Sequence, residues 1–239
     1  MKIPCSVPLC WNLFLLAAAA SVLSAAPLNQ LTDEERAAGW KLLFDGKTTQ
    51  GWRTFKKQSF PEKGWVVEDG WLHCLSKGGG DIITDAEFDD FELQWDWKLA
   101  PAGNSGVKYF VLESRQQALG HEYQMLDDER APGVEKGNRK QLTAAFYAVL
   151  APGHTPIKPP GEVNSSRILV KGNHVEHWLN GEKVLEYECG SDTVKAAVAV
   201  SKFKNTAGFG SKVRGHLLLQ DHDSEVWFRN VKLRELPRN

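Results

Sequence analysis

The sequence has few cysteines. Four occur among its 239 residues, and two of them, Cys5 and Cys10, lie within the first 26 residues. The remaining pair, Cys74 and Cys189, is too small a set for a structural zinc site, which normally takes four cysteine or histidine ligands. An oxidising compartment would permit these two thiols to pair, but their spacing says nothing about geometry, so a disulfide and two free thiols both stay open.

The sequence also lacks a basic cluster and, after residue 26, a long apolar run. Its formal net charge is −1, and −2 without Lys2, with no stretch of lysine and arginine. Nucleic acid and anionic membrane surfaces are therefore not expected partners. No later segment approaches the roughly 18 apolar residues of a membrane span, so none is expected.

The first 26 residues have the pattern of a secretory signal peptide. Lys2 supplies the positive start, Leu13–Ala20 is apolar, and Ser24-Ala-Ala26 offers small residues at the cleavage position. We expect cleavage near Ala26 and a periplasmic or extracellular protein. The oligomeric state is not indicated.

Residues 27–239 predict a single all-β domain. One short helix is indicated after Thr32, with Glu35 in the capping-box position. Most of the remaining chain reads as strands and turns. The clearest strand, Phe91–Leu99, alternates apolar and polar residues, and hairpin signals occur at Asp69-Gly70 and Asn180-Gly181. Ten or more short strands favour a jelly-roll β-sandwich of two antiparallel sheets.

Residues 127–165 interrupt this pattern with several prolines and glycines. We predict long loops there, flanking one short strand at residues 144–149. Unstructured loops of this length in a compact domain are usually functional or mobile.

An ordered series of short motifs resembles the 3-keto-disaccharide hydrolase domain family. The motifs are Leu43-Phe-Asp-Gly-Lys47, Asp90-Phe-Glu-Leu93, Asn104-Ser-Gly-Val107, Glu122-Tyr-Gln-x-Leu-Asp127, Leu219-Gln-x-His222 and Val226-x-Phe-Arg-Asn-Val231. The resemblance spans roughly residues 40–236 and implies a concanavalin-like jelly roll related to glycoside hydrolase family 16. It further implies an exported hydrolase or lyase that cleaves 3-keto-glycosides. The chain has Asp223 where the family often has glycine after the histidine.

A ketone at C3 of a sugar acidifies the hydrogen on C2 and makes the C1 oxygen a β leaving group. Cleavage by elimination and hydration then needs a base at C2, a donor for the C3 oxygen and an acid for the departing oxygen. Glu122 and Gln124 lie on one face of a short strand because side chains alternate. Gln220 and His222 end another strand.

From these placements Glu122 and His222 are the candidate catalytic residues, with either one as the base. Gln124, Asp127, Gln220 and Arg115 are the candidate substrate-binding residues. No cofactor is expected to be required. A divalent ion such as calcium stays open, because Asp81, Asp127, Asp128 and Glu129 offer the oxygen ligands it prefers.

Two alternatives remain. The same sandwich could serve as a lectin-like module that binds carbohydrate without chemistry. In addition, Glu87-x-Asp-x-x-Glu92 fits a bulged form of the carboxylate pattern of retaining glycosidases. We do not expect that pattern to be catalytic, because its first residues read as a loop entering the strand.

Overall fold

The computed structural model describes residues 27–237, and the predicted signal peptide lies outside them. The helices are α1 (Asp33–Ala37), α2 (Asp192–Ala199) and a 3₁₀ turn at Arg139–Gln141. The strands are β1 (Lys41–Leu42), β2 (Trp52–Thr54), β3 (Trp65–Glu68), β4 (Trp71–Leu75), β5 (Ile82–Phe88), β6 (Phe91–Leu99), β7 (Asn104–Val111), β8 (His121–Leu126), β9 (Asn164–Lys171), β10 (His174–Leu179), β11 (Glu182–Glu188), β12 (Gly215–Leu219) and β13 (Glu225–Glu235).

The strands form two antiparallel sheets, which confirms the predicted all-β jelly-roll sandwich. The eight-stranded sheet runs β11-β10-β9-β6-β13-β4-β3, with β1 also paired to β13. The five-stranded sheet runs β2-β5-β12-β7-β8. Neighbouring strands from distant parts of the sequence, such as β12 beside β7, bring the closing motif next to the middle of the chain. Among residues 27–237, no helix is long and apolar enough to cross a membrane.

Turn chemistry explains the hairpins that the sequence predicts. Asp69 and Gly70 both adopt positive φ, 48° and 75°, between β3 and β4. Asn180 and Gly181 do the same between β10 and β11, at 50° and 87°. These are the left-handed conformations that tight hairpin turns require. The capping box of α1 is also present, since Thr32 and Glu35 each accept from the other's backbone N–H.

Aromatic side chains from both sheets fill the space between them. The predicted alternation of β6 holds: Phe91, Leu93, Trp95, Trp97 and Leu99 are all buried. Trp95 packs edge-to-face on Tyr123 of the opposite sheet at 5.0 Å between ring centroids. The Tyr123 hydroxyl contacts Ser166 Oγ at 2.8 Å, and Trp97 Nε1 donates to the same oxygen at 2.8 Å.

A buried hydrogen-bond network also joins the sheets. Tyr109 Oη contacts His177 Nε2 at 2.8 Å and the Tyr187 hydroxyl at 2.5 Å, and that hydroxyl contacts His121 Nδ1 at 2.9 Å. Burial lowers the pKa of His121 to about 3 and that of His177 to about 4. Both imidazoles are therefore neutral near neutral pH, and buried hydrogen-bond networks of this kind help to fix the packing of a core.

Two local predictions were wrong. Helix α2 was missed, although Ser191 caps its first turn by accepting from Val194 N. Residues 144–149 are not a strand but a series of turns with isolated bridges at Phe146. This segment still bonds to β8, because Ala144 N donates to Gln124 O and Tyr147 N donates to Glu122 O. It thereby covers the edge of the five-stranded sheet.

Within residues 27–237, Cys74 and Cys189 are both buried and free, so they are two thiols and not a disulfide with each other. Burial raises the pKa of each thiol to about 12. Neither sulfur is therefore activated as a nucleophile.

We predict that the free energy of unfolding falls as pH drops from about 6.5 toward 4, because the buried histidines bind protons more readily in the unfolded chain. Above the unfolded histidine pKa of about 6.5 these residues are neutral in both states, so the loss of stability caused by their protonation is absent there. Urea unfolding at a series of pH values measures the slope. His177→Gln should reduce that slope relative to wild type, and an unchanged slope in this variant would contradict the assignment.

Candidate active site

A cleft lies on the outer face of the five-stranded sheet, where β8, β7 and β12 are neighbours. The strands contribute Asn104, Lys108, Glu122 and Gln124, and the chain just after β12 contributes Gln220 and His222. Loops wall the cleft with Leu119, Gly120, Tyr147, Lys202 and Phe203. Four of the six residues proposed from the sequence therefore come together here: Glu122, Gln124, Gln220 and His222.

Strand alternation places these groups outside the core. In β8, Tyr123 and Met125 point between the sheets, so Glu122 and Gln124 point to the outer face. An outer sheet face is usually solvated, yet Glu122 is only 6% exposed and Gln124 only 2%. The surrounding loops cover the polar face, so the charged and amide groups sit in a partly dehydrated site.

Glu122 has the environment of a base. Its carboxylate packs over Gly106, where an added Cβ would lie 2.8 Å from Oε1. No residue in the described part of the chain donates a hydrogen bond to that carboxylate. Burial raises the pKa of Glu122, and the nearby Lys108 and Lys202 oppose this shift only in part. An unpaired carboxyl group with a raised pKa, facing a cleft, is suited to proton transfer.

Two amide oxygens in the cleft have no partner. Gln124 Oε1 and Gln220 Oε1 are buried without a hydrogen bond within residues 27–237. The Gln124 amide is oriented by its own nitrogen, which donates to Asn104 Oδ1 at 3.1 Å. Gln220 is held by its backbone, since its N–H donates to Gly106 O and its carbonyl accepts from Ser105 Oγ. A buried acceptor without a partner costs about 1–3 kcal/mol, so sugar hydroxyls are fitting donors for both atoms.

His222 lies exposed at the mouth of the cleft, just after β12. The turn that carries it is fixed by Asp221, whose N–H donates to Asp81 Oδ1 at 3.0 Å and whose Oδ2 accepts from Gly80 N at 2.9 Å. The next residue, Asp223, has φ 54°. This left-handed conformation explains why glycine is common there and why aspartate, which tolerates it, can replace glycine.

The other two proposed binding residues lie elsewhere. Asp127 lines a separate groove with Pro159 and Pro160, and its Oδ2 accepts from Ala102 N at 2.8 Å. Its role in this structure is to fix the turn before β7. The Arg115 guanidinium donates to Leu119 O at 3.0 Å, so it braces a cleft wall and is not one of the lining residues.

Three of the four acidic residues considered for calcium, Asp81, Asp127 and Asp128, each have a carboxylate oxygen that accepts from a protein donor. Asp128 Oδ1 accepts from the Thr143 N–H and hydroxyl, and Asp81 accepts from Asp221 N and lies 3.7 Å from the Lys108 ammonium. A different group, His174, Glu176 and Glu186, has atoms close enough to share an ion, but Lys183 pairs with both glutamates. Calcium binding remains a prediction.

The glycosidase-like carboxylate pattern does not converge on the cleft. Glu92 belongs to the eight-stranded sheet and is bound by Arg167 and Arg234. Glu87 lies on β5 and faces Arg214 and His216. These contacts account for both carboxylates as structural ion pairs.

Sequence reasoning missed Lys108, Lys202, Tyr147 and Asn104. A lysine inside the apolar run of β7 is an unusual residue for a covered strand, and this was the available signal for Lys108. Lys202 follows α2, and its ammonium lies 4.1 Å from the centroid of the Tyr147 ring. No sequence pattern places either loop residue over the sheet.

Comparison with known proteins supports a carbohydrate-active family. A curated 3-keto-disaccharide hydrolase from Bacteroides thetaiotaomicron is 32% identical over 90% of this chain and 84% of its own length. A solved structure from Parabacteroides distasonis, described as that of a candidate glycosyl hydrolase, is 38% identical with a TM-score of 0.81, covering 88% of this chain and all of the other. A second from the same organism is 28% identical with a TM-score of 0.65, covering 82% of this chain and 99% of the other.

The family described as the 3-keto-alpha-glucoside-1,2-lyase-like domain matches residues 39–234, which include both sheets from β1 to most of β13. This match and the full-length likeness agree with the order of motifs along the chain. The protein therefore belongs to the 3-keto-alpha-glucoside-1,2-lyase-like family.

Proposed function

We propose that this protein is an exported enzyme that cleaves 3-keto-glycosides by removing the C2 proton, eliminating the C1 substituent and adding water. The observation that carries the proposal is the buried Glu122 carboxylate beside two amide oxygens, none of which accepts a hydrogen bond from residues 27–237. The name of the Bacteroides relative supports the substrate class. Export rests on the signal-peptide pattern of residues 1–26.

Glu122 is the better base of the two candidates. Its carboxylate is fixed on a strand and dehydrated, whereas His222 lies exposed at the cleft mouth. A base at C2 must remove the hydrogen that the C3 ketone acidifies, and burial makes the carboxylate a stronger proton acceptor. His222, which lies at the cleft mouth, is the proposed acid for the departing oxygen. Gln124 and Gln220 accept hydrogen bonds from the sugar hydroxyls.

A lectin-like role is not favoured. Neutral sugars are bound well by amides and aromatic rings, and a buried carboxylate that serves binding alone is normally oriented by a protein donor, because burying an unpaired charge is costly. Residues 27–237 supply no such hydrogen-bond donor to the carboxylate. The environment of the Glu122 carboxylate is instead suited to a base that accepts a proton from the substrate.

The function is tested by incubating the purified protein with 3-keto-trehalose and an aryl 3-keto-glucoside. Wild type should release the C1 substituent, and Glu122→Gln should reduce kcat by about 10²–10⁴ because the amide cannot accept the proton. Glu62→Gln, an exposed residue outside the cleft, is the matched control and should retain wild-type rates. Saturable glycan binding without turnover of any keto-sugar would contradict the enzyme.

The acid role of His222 predicts a dependence on the leaving group. His222→Ala should slow cleavage of 3-keto-trehalose more than cleavage of an aryl 3-keto-glucoside, because a phenolate departs without protonation. Parallel rate measurements with both substrates give the ratio. An equal loss for both substrates would remove His222 from this role.

The pH dependence should report the Glu122 base. Since burial raises the pKa of Glu122, the acid limb of kcat/KM should lie above the ordinary glutamate pKa of about 4.3. Rates fall as pH drops through that limb because the carboxyl group becomes protonated. Release of the aryl group between pH 4 and 8 measures it, and a limb at or below 4.3 would count against Glu122.

Removing this charge should stabilise the fold. The raised pKa means that the folded state holds a proton that the unfolded chain releases, so stability is lost as pH rises from the unfolded toward the folded pKa. Glu122→Gln avoids this loss and should have a larger free energy of unfolding than wild type at pH 7. Urea unfolding measures it, and a destabilised variant would contradict the proposed environment of the carboxylate.

A further inference from the structure

We propose that Lys108 is a catalytic residue: its ammonium donates a hydrogen bond to the C3 carbonyl oxygen and stabilises the enolate that forms when Glu122 removes the C2 proton. This inference rests on the proposed function and adds the hydrogen-bond donor that the reaction requires at the C3 oxygen. Neither the sequence patterns nor the comparisons assign a role to Lys108.

The register of the sheet sets the two groups side by side. Lys108 of β7 is the direct cross-strand partner of Glu122 of β8. Directly opposed residues point to the same face with their Cβ atoms about 4.5–5.5 Å apart. In the substrate, the hydrogen on C2 and the oxygen on C3 belong to adjacent carbons. A base and a donor on neighbouring strand positions are therefore spaced to reach both at once.

Lys108 is buried and held by neighbouring oxygens, but these contacts do not use all of its hydrogen-bond donors. The residue is 8% exposed, its Nζ lies 3.7 Å from Asp81 Oδ2, and its contact with Ala118 O is 3.5 Å. Both contacts are long for charged hydrogen bonds, which are usually 2.7–2.9 Å. An ammonium has three N–H donors, so a substrate oxygen can take a shorter contact. Asp81 therefore holds the ammonium in the cleft while leaving an N–H group able to donate to the substrate.

The other polar groups are less suited to hold an enolate. The unpartnered atom of Gln124 is an oxygen, because its nitrogen already donates to Asn104. Arg115 is directed to Leu119 O. Lys202 is exposed on a loop with its ammonium over the Tyr147 ring, so its position is not set by a strand. A preorganised donor in a water-poor site is the most effective stabiliser of developing negative charge, and Lys108 meets both conditions.

The electrons balance without any co-reactant. Glu122 takes the C2 proton, the C–H pair becomes the C2–C3 double bond, and the carbonyl π pair moves to the C3 oxygen beside Lys108. The pair on oxygen then re-forms the carbonyl, the double bond shifts to C1–C2, and the C1–O bond breaks as the departing oxygen gains a proton. Addition of water to this enone places hydroxyl at C1 and a proton that has exchanged with solvent at C2.

The experiment separates enolisation from cleavage. Exchange of the C2 hydrogen of 3-keto-glucose in D₂O requires the base and the hydrogen-bond donor but no leaving group, and NMR follows it. Lys108→Met should lower both this exchange and kcat for 3-keto-glycosides by about 10²–10³, with a smaller change in KM. The matched control Lys204→Met, an exposed residue outside the cleft lining, should leave both rates unchanged.

A second variant guards against misfolding. Lys108→Met leaves Asp81 without its cation, whereas Asp81→Asn with Lys108→Met removes both charges. The double variant should fold with near-wild-type urea unfolding and remain deficient in exchange. Recovery of exchange in the double variant, or wild-type exchange in Lys108→Met, would overturn the catalytic role. Exchange by wild type without cleavage of any keto-glycoside would overturn the proposed function and retain Lys108, and neither reaction by wild type would overturn both.

Discussion

The proposed site depends on a row of polar residues that is buried on the outer face of the five-stranded sheet. Lys108, Glu122 and Gln124 are each less than 10% exposed, although strand alternation directs them away from the core. Covering such groups costs free energy, and within residues 27–237 two amide oxygens and one carboxylate accept no hydrogen bond that would offset it. These groups can therefore form hydrogen bonds with a ligand that is rich in hydroxyl and carbonyl groups.

The surrounding architecture keeps that row in place. The buried tyrosine and histidine network and the packing of Trp95 on Tyr123 lock the inner face of β7 and β8 to the opposite sheet. Because inner and outer residues alternate, fixing Tyr109 and Tyr123 also fixes Lys108 and Glu122. Gly106 leaves the space over which the Glu122 carboxylate lies. The geometry of the proposed site is thus a consequence of core packing on the other side of the same strands.

Local patterns in the sequence predict much of this fold and part of the site. The alternation in Phe91–Leu99, the turn residues at Asn180-Gly181 and the capping box at Thr32 act over a few residues, and all three are present. Alternation likewise places Glu122 and Gln124 on one face. Pairing of β12 with β7 then brings Gln220 to them, and this long-range register was accessible only through the family resemblance.

The remaining site residues depend on tertiary contacts that no short pattern encodes. Asp127 follows Gln124 closely in sequence, yet the end of β8 turns it to Ala102. Lys202 and Tyr147 reach the cleft from separate loops, and the loop at residues 144–149 bonds to β8 without forming the predicted strand. Lys108 lies within an apolar strand, and its proposed role can be inferred only from its pairing with Glu122 on the neighbouring strand.

In the proposed mechanism, cleavage begins with removal of the C2 proton by a group buried on the sheet. Cleavage of 3-keto-trehalose in D₂O, quenched early and compared with an enzyme-free sample, tests it through the mass of the released 3-keto-glucose. Proton removal at C2 should place deuterium at C2 of the product in step with turnover. Release of 3-keto-glucose that retains its original C2 hydrogen would contradict it and indicate direct displacement at C1.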